Sequence, residues 1–209
     1  MTDMDTATTF LVVGVARSHM PDVVIVGGGP AGLSAGLFTA KNGLDTVIFD
    51  GDDSWMHMAH LFNYLGIRSI AGDEFLAVAR GQVEDRGAAL HTDEEVTSVT
   101  VRDNGFTVET DDGEHEAKYV VLATGADRDL AEEIGCELTD EETVAVSLSM
   151  ETSIDDLYAT GAMVRDQEWQ AIISAGDGGT AALDILSKEE GEHFHDFDTP
   201  DDVPTLASE

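Results

Sequence analysis

The stretch from residue 22 to residue 50 constrains the fold of this chain more than any other part of it. It reads DVVIVGGGPAGLSAGLFTAKNGLDTVIFD. An apolar, β-branched run at 23–26 leads into Gly27-x-Gly29-x-x-Gly32, and a helical pattern and a second apolar run at 46–49 follow. A glycine-rich turn can also be a plain strand-to-helix connection, but here every flanking element falls where nucleotide binding needs it. The stretch therefore predicts the first βαβ unit of a dinucleotide-binding fold.

Each residue type in this motif has a physical role in holding a pyrophosphate. Gly27 permits a tight turn, Gly29 lets the backbone approach the phosphates, and Gly32 lets the helix pack closely on the strand. The N–H groups and the dipole of the first helical turn then face the phosphates, and Pro30 fits that turn because no N–H is needed there. Asp50 ends the second strand, where a carboxylate accepts hydrogen bonds from ribose hydroxyls.

The charge balance of the chain is unusual for a globular protein. Its 209 residues include 43 Asp and Glu but only 10 Lys and Arg, for a formal net charge of -33, while 42% of the residues are hydrophobic. An ordinary apolar fraction with so many acids indicates one folded domain with an acidic surface. Concentrated salt screens such self-repulsion, so our hypothesis is a protein of a high-salt cytoplasm, as in a halophile. The same charge disfavours nucleic acid and membrane surfaces as partners.

Cysteine and histidine give little sign of redox or metal chemistry. The single cysteine, Cys136, leaves no internal disulfide and no CxxC pair, and we expect it to be a buried apolar residue. His57 and His60 have helical spacing, and His193 and His195 are close in sequence, but no zinc pattern surrounds them, so solvent-facing or packing roles are favoured. Neither an apolar run of membrane-spanning length nor a basic N-terminal segment is present, which predicts a cytoplasmic protein.

The pattern after residue 50 predicts the rest of an α/β domain. A loop at 51–60 is followed by an amphipathic helix at 73–86 and a short strand at 88–91. Three β-rich runs at 96–101, 106–110 and 118–123 are separated by Asn-Gly and Asp-Gly, which predicts an antiparallel meander. The last run is continuously apolar, so we also expect it to return into a central parallel sheet.

The last helix and the two ends of the chain complete the predicted organisation. Residues 1–21 are an N-terminal extension without an assignment, in which 10–15 fit a short strand. Residues 22–188 form the domain, and 189–209 an acidic tail that we expect to be flexible. The final helix is predicted over 167–188, with Gly178 and Gly179 allowing close approach. Its expected packing face consists of Ala171, Ile172, Ala175, Ala182, Leu183 and Leu186.

Taken in order, these motifs resemble the FAD-binding domain of the low-molecular-weight thioredoxin reductase group, within the pyridine nucleotide-disulfide oxidoreductases. The resemblance rests on GGGPAG at 27–32, Asp50, FNYLG at 62–66, the helix ending in Arg-Gly, the meander and ATG at 123–125. It resumes at TSIDDLYATG and QAIISAGDGGTAAL and so covers almost all of residues 22–188. The FNYLG segment is more similar to the branch of fungal dithiol oxidases than to the true thioredoxin reductases.

The resemblance implies an α/β fold: a single Rossmann-like FAD-binding domain with a central parallel sheet, helices and a three-stranded antiparallel β-meander. The implied cofactor is FAD, on which the redox chemistry is expected, so neither a catalytic side chain nor a metal ligand is predicted. The first turn of the last helix is expected to direct N–H groups at the flavin. The predicted FAD-binding residues are Gly27, Gly29, Pro30, Ala31, Gly32, Asp50, Asn63, Val96, Ala123, Thr124, Gly125, Gly161, Ala162, Trp169, Gln170 and Ala171.

Part of the family pattern is missing from this chain. In the family, an NADPH-binding domain that carries the CxxC follows the ATG strand, whereas here only five residues separate Gly125 from Ala131. The resemblance therefore implies an FAD domain that closes directly on itself. Asp52 and Asp53 stand in place of family glycines near the flavin, so we expect the loop over the ring to be rebuilt.

Two further positions depart from the family near the flavin. Ala162 stands where the family has an aspartate that contacts the ribityl and phosphate region, a loss of about 1–3 kcal/mol unless another group, such as Asp166, replaces it. Trp169 replaces a basic residue, and it either packs near the isoalloxazine edge or closes the core where the second domain is missing.

Two functions agree with these features. The first is an FAD-dependent flavoprotein oxidoreductase that takes electrons from an external donor, such as an electron-donor protein, and passes them to a disulfide, quinone, oxygen or metal centre. The alternative is a non-catalytic FAD carrier, an electron-transfer subunit or a structural relative. The retained flavin motifs favour the first, and the missing domain and Ala162 favour the second. By resemblance alone, a homodimer is expected.

Overall fold

The computed structural model describes residues 20–199, in which short strands alternate with helices. In chain order, the elements are β1 (Val23–Val26), α1 (Pro30–Lys41), β2 (Thr46–Asp50), β3 (His60–Leu61), β4 (Ile70–Ala71), α2 (Gly72–Asp85), β5 (Ala89–Thr92), β6 (Val96–Arg102), β7 (Gly105–Thr110), β8 (Glu114–Ala117), β9 (Tyr119–Leu122), α3 (Asp129–Ile134), β10 (Leu157–Ala159) and α4 (Ala171–Glu190). Two 3-10 turns, Trp55–Met58 and Gly161–Val164, lie in the connections. The predicted βαβ unit and the helix and strand that follow it are confirmed.

The centre of the molecule is a five-stranded sheet with the order β10-β9-β1-β2-β5. Every neighbouring pair in it is parallel. The chain passes from β1 through α1 to β2 on one side, and it returns to the other side of β1 only as β9. The carboxyl ends of β1 and β9 therefore form a topological switch point, the place where open α/β sheets bind their ligands.

Alternate residues of the central strands belong to two different cores. Val23 and Ile25 pack with residues of α1, α2 and α4, whereas Val24 and Val26 pack with residues of the meander. None of these four side chains is more than 4% exposed. Because successive side chains of a strand point to opposite faces, burial on both faces requires a continuously apolar strand. The result is three layers: helices, parallel sheet and meander.

The meander contains a strand that the sequence pattern did not predict. β6 pairs with β7, and β7 pairs with β8, in antiparallel fashion. The run at 118–123 contains instead β9, which pairs with β1 and β10. Its predicted return to the parallel sheet is confirmed, but the prediction that it is the third meander strand was wrong. β8 has the sequence Glu-His-Glu-Ala and lacks apolar alternation because it is an edge strand with mostly exposed side chains.

Helices α1 and α4 lie in direct backbone contact. A Cβ atom placed on Gly178 would lie 2.0 Å from the carbonyl oxygen of Ala31, so only glycine allows this approach. The predicted role of Gly178 in close packing is therefore confirmed. α4 begins at Ala171, later than predicted, and Ile172 is 37% exposed, so its assignment to the packing face was wrong. Ile172 is exposed because the first turn of α4 borders a cavity. The close contact of α4 with α1 occurs later in α4, at Gly178.

The two ends of the chain are described in part. The segment 10–15, which fits a short strand, lies outside the described residues. α4 continues to Glu190, and beyond it the Lys41 Nζ atom lies 2.5 Å from carboxylate oxygens of both Asp196 and Asp198. Residues 200–209 of the predicted tail also lie outside the described part.

Cys136 is buried and is a free thiol, as expected, and burial raises its pKa. Within residues 20–199, the helices are all too short or too polar to cross a membrane. In the same range, no three or more His, Cys, Asp or Glu side chains come together as a metal-binding group.

Candidate functional site

A cavity of about 930 Å³ runs along the carboxyl edge of the parallel sheet, at the switch point between β1 and β9. This volume lies within the range of sites for small molecules and cofactors. All of the predicted cofactor-binding residues except Gly32 line it. Gly32 lies behind the wall, where a Cβ would be 1.9 Å from the Gly27 carbonyl oxygen, so its predicted packing role is confirmed. The fold thus brings motifs from the whole domain to one site.

The glycine-rich turn forms one wall of the cavity. Gly27 has φ of 110°, and a Cβ there would lie 2.3 Å from the Ala123 carbonyl oxygen, so the turn tolerates only glycine. Gly29 differs, since a Cβ on it would meet only Ser54 Oγ, at 3.6 Å. No side chain caps the first turn of α1. The N-terminal N–H groups and the dipole of α1 therefore face open space that suits a pyrophosphate.

Asp50 is buried beneath this turn, with only 2% of its surface exposed. Its Oδ1 atom accepts a hydrogen bond from the Asp52 backbone N–H at 3.0 Å. Its Oδ2 atom accepts one from Arg80 Nη2 at 2.7 Å. Arg80 was not among the predicted residues, because nothing in its helical pattern indicates which face of the sheet it reaches.

A second helix begins at the cavity. Gln170 is the N-cap of α4, no side chain caps its first turn, and Gln170, Ala171 and Ser174 line the cavity. Asn63 Nδ2 donates a hydrogen bond to Gln170 Oε1 at 2.7 Å, although the two residues lie far apart in sequence. The cavity is therefore bordered by two helix N-termini, each of which attracts negative charge.

Two tryptophans stand together at the cavity. The ring centroids of Trp55 and Trp169 are 5.4 Å apart, and the residues are 55% and 42% exposed. The Nε1 atom of Trp169 donates a hydrogen bond to the Arg165 carbonyl oxygen at 3.0 Å. The sequence left two places for Trp169, near the flavin ring or in the core. Its exposure shows that the core placement was wrong. Trp55 was not predicted, and its only signal is a large aromatic residue within a polar loop.

Asp166 does not fill the place of the missing aspartate. Ala162 lines the cavity, but the Asp166 carboxylate accepts a hydrogen bond from Gln167 Nε2 and is not among the lining residues. The neighbouring Arg165 turns away to Asp177, with Nε 3.2 Å from Oδ2 and Nη2 2.5 Å from Oδ1. This bidentate pair fixes the segment between the second 3-10 turn and α4.

The loop at 51–60 carries Asp52 and Asp53, the two acids that by resemblance stand in place of glycines. Asp53 lines the cavity, whereas Asp52 points to Arg80 and His57. The hydrogen bond from Arg80 holds the pKa of Asp52 below its ordinary value. The hydrogen bond to Asp73, on α2, raises the pKa of His57. His60 instead bonds to Ser69 Oγ at 2.8 Å, so the two histidines do not face one site.

The side chains around the cavity are strongly acidic. Among the described residues that line it, none is Lys or Arg. The acids in its wall are Asp50, Asp53, Glu94, Glu95, Asp127, Asp129 and Glu133. An anionic ligand would therefore be held by backbone N–H groups and helix dipoles, against repulsion from these carboxylates.

Comparison with known proteins places this geometry among flavoproteins. The pyridine nucleotide-disulphide oxidoreductase family matches residues 66–179, and an FAD-binding domain family matches residues 22–61. The bifunctional thioredoxin reductase/thioredoxin of Mycobacterium leprae is 35% identical over 115 residues, which are 53% of this chain and 25% of that protein. The thioredoxin reductase of Streptomyces clavuligerus is 35% identical over 121 residues, 52% of this chain and 35% of that protein.

Solved structures agree on the fold. The structure of a thioredoxin reductase from Gloeobacter violaceus superimposes with a TM-score of 0.78 at 20% identity, over 86% of this chain and 99% of that chain. The chain spans only 21% to 36% of the length of the curated relatives that it matches.

Proposed function

The chain belongs to the pyridine nucleotide-disulphide oxidoreductase family and carries its FAD-binding domain, and on that premise we propose that it is a flavoprotein oxidoreductase that takes electrons from an external donor. The observation that carries the proposal is the continuous cavity that joins the first turn of α1 to the first turn of α4. FAD, when bound there, supplies the electron transfer.

The residues present fit FAD. The turn from Gly27 to Gly29 leaves room for a pyrophosphate, since a Cβ on Gly29 would project toward little but Ser54. The uncapped N-terminus of α1 supplies N–H donors to the phosphates, and Asp50 accepts from ribose hydroxyls. Gln170, held by Asn63, and the first turn of α4 would hold and orient the flavin ring. Trp55 and Trp169 would limit the access of water to it.

The connection between β9 and α3 supports an external donor. Only residues 123–128 join them, so the described chain has no room there for a second nucleotide-binding domain. We propose that the donor is a reduced protein or a soluble nicotinamide nucleotide that reaches the flavin at the tryptophan side of the cavity. We also propose that the chain forms a homodimer and that it works in a high-salt cytoplasm.

A second candidate is a carrier or electron-transfer subunit without its own reaction. Ala162 and the acidic wall without a cationic side chain favour it, because both weaken the hold on the phosphates. The two candidates share FAD binding and differ in whether a donor reduces the bound flavin.

The deciding experiment separates binding from reduction. The protein is purified in molar KCl, its visible spectrum is recorded, and it is mixed anaerobically with NADH, NADPH or reduced ferredoxin. The oxidoreductase predicts bound flavin that one of these donors bleaches. Bound flavin that none of them reduces supports the carrier, and a colourless protein that takes up no added FAD contradicts both.

A further inference from the structure

Arg80 links Asp50, the acid that is proposed to accept hydrogen bonds from the ribose, to helix α2. It lies on α2, and its Nη2 atom is 2.7 Å from Asp50 Oδ2 and 2.5 Å from Asp52 Oδ1. Arg80 is not among the residues that line the cavity. Its contacts with the site therefore run through Asp50 and Asp52.

The surroundings of Asp50 leave its carboxylate a single orientation. Arg80 holds Oδ2, and the Asp52 N–H holds Oδ1 at 3.0 Å. The group also lies directly against the glycine turn, since a Cβ on Gly28 would be 2.0 Å from Asp50 Oδ2. Each carboxylate oxygen can accept a second hydrogen bond, so both retain a lone pair for a hydroxyl in the cavity.

A buried carboxylate also requires a compensating positive charge. The Asp50 side chain is 3% exposed, and burial of an unpaired charged group costs far more free energy than burial of a paired one. Arg80 supplies the charge. Its Nε atom is buried and has no hydrogen-bond partner among the described residues, so the two carboxylates alone orient the guanidinium.

The loop that bears Asp52 is fixed by the same contacts. Asp52 has φ of 56°, a left-handed conformation that is uncommon for a residue other than glycine. His57 Nε2 lies 3.0 Å from Asp52 Oδ1, and His57 Nδ1 lies 2.6 Å from Asp73 Oδ1. Arg80 and His57 thus tie this strained loop to α2 from two sides, which keeps the Asp52 N–H directed at Asp50.

We propose that Arg80 is a positioning residue of the nucleotide site, which holds the Asp50 carboxylate in the orientation that faces the ribose hydroxyls of the adenosine half of FAD. This inference rests on the proposed FAD binding. It assigns to α2 a part in ligand recognition although α2 contributes no residue to the cavity wall.

The test compares ligands that differ by one hydroxyl. Binding of ADP, 2′-deoxy-ADP and 3′-deoxy-ADP to the flavin-free full chain is measured by calorimetry in molar KCl, for the wild type, Arg80→Met and Arg80→Lys. Arg86→Met, at an exposed arginine that ends the same helix, is the matched control. We expect the wild type and the control to prefer ADP over at least one deoxy analogue by roughly tenfold or more.

Arg80→Met is expected to lose this preference, so that the ratio of the affinities for ADP and that deoxy analogue falls toward one, because the lost charge affects both ligands alike and only the hydroxyl contact differs between them. Arg80→Lys keeps the positive charge but ends in a single nitrogen on a side chain of different length and shape, so it is expected to retain part of the preference. A full wild-type preference in either variant would overturn the inference. If Arg80→Met does not fold, the Lys variant decides alone. A wild type that binds neither ADP nor FAD would instead refute the proposed function.

Discussion

The indole rings of Trp55 and Trp169 meet at the cavity with their centroids 5.4 Å apart and their planes inclined by 57°. They are the only two tryptophans of the chain, and both line the cavity. Tryptophan fluorescence, excited selectively, therefore reports on this site alone. We expect added FAD to quench most of the emission, because bound flavin would lie within contact or energy-transfer distance of both rings.

The measurement is a fluorescence titration in molar KCl, corrected for light absorption by FAD with free tryptophan. Emission that stays unchanged while flavin co-elutes with the protein would place the cofactor elsewhere.

Gly29→Val is expected to abolish FAD uptake without destabilising the fold. The backbone of Gly29 has φ of -79°, which any residue adopts, and a Cβ there meets only Ser54 Oγ at 3.6 Å. The added methyl groups would occupy the space in which phosphates approach the turn. The measurements are flavin absorbance after gel filtration and the unfolding free energy, which should change by no more than about 1 kcal/mol. Gly113→Ala, at an open position outside the cavity wall, is the control. Normal flavin content in the valine variant would contradict the assigned phosphate turn.

Two alanine substitutions in α4 should change stability in opposite directions. Gly178→Ala forces a Cβ to within 2.0 Å of the Ala31 carbonyl oxygen, so we expect a loss of about 1–3 kcal/mol in unfolding free energy. Gly176→Ala meets nothing within 4 Å and removes a helix-interior glycine, so we expect a gain of about 0.5–1 kcal/mol. Denaturant unfolding at fixed salt measures both. Equal effects would show that α1 and α4 are not in backbone contact.

Salt is expected to strengthen FAD binding. The cavity wall holds acids but no Lys or Arg among the described lining residues, so added salt screens mainly the repulsion of the pyrophosphate. The dissociation constant of FAD should fall as KCl is raised from the millimolar to the molar range. Riboflavin has no phosphate, so its affinity should change much less. Weaker binding of FAD at high salt would show that electrostatic attraction, and not repulsion, dominates at the site.

His57 should give the protein a pH-dependent contribution to stability. Its hydrogen bond to Asp73 raises its pKa above the ordinary value of 6.5. A raised pKa in the folded state means that the contribution is fully present below the unfolded pKa and is lost as pH rises through the folded pKa. The pKa of Asp52 is lowered, so its contribution is present above the ordinary value of 3.8 and is lost only as pH falls through the folded pKa.

We therefore expect the unfolding free energy of the wild type to decrease relative to His57→Gln as pH rises from just below 6.5 through the folded pKa. Unfolding curves at several pH values measure the difference. His60→Gln is the control, because His60 bonds to the Ser69 hydroxyl and not to a carboxylate. A constant difference between wild type and His57→Gln across this range would refute the assignment.

The sequence was most informative where one residue type has one local task. The apolar run of β1, Gly27 in a left-handed turn and Gly32 behind it are dictated by short-range geometry, so their places could be predicted. The family resemblance added residues from distant segments, such as Asn63 and Gln170, which the structure joins by a hydrogen bond. The cavity wall confirms that these segments converge, whereas their contacts with FAD remain predictions.

The features that the sequence did not predict depend on contacts between elements that are distant in the chain. β8 is polar because it is an edge strand, so it has no apolar period to detect. Arg80 and Trp55 acquire their partners, Asp50 and Trp169, only when separate elements pack together. Ile172 has the spacing of a packing residue but lies in a turn that borders the cavity. Periodicity identifies a face of a helix without identifying what lies opposite that face.

The contact between Gly178 and Ala31 also bears on the lifetime of the protein in a cell. It sets α1 and α4 side by side with both N-termini at one cavity, so two partial positive charges of about +0.5 each lie near one another. A cofactor that binds only the folded chain stabilises it, and a pyrophosphate held at both helix N-termini would do so, whereas an empty chain lacks that contribution. Newly made chains without cofactor would then open more often and meet proteases sooner than loaded ones, so the supply of flavin would set how much of this protein accumulates.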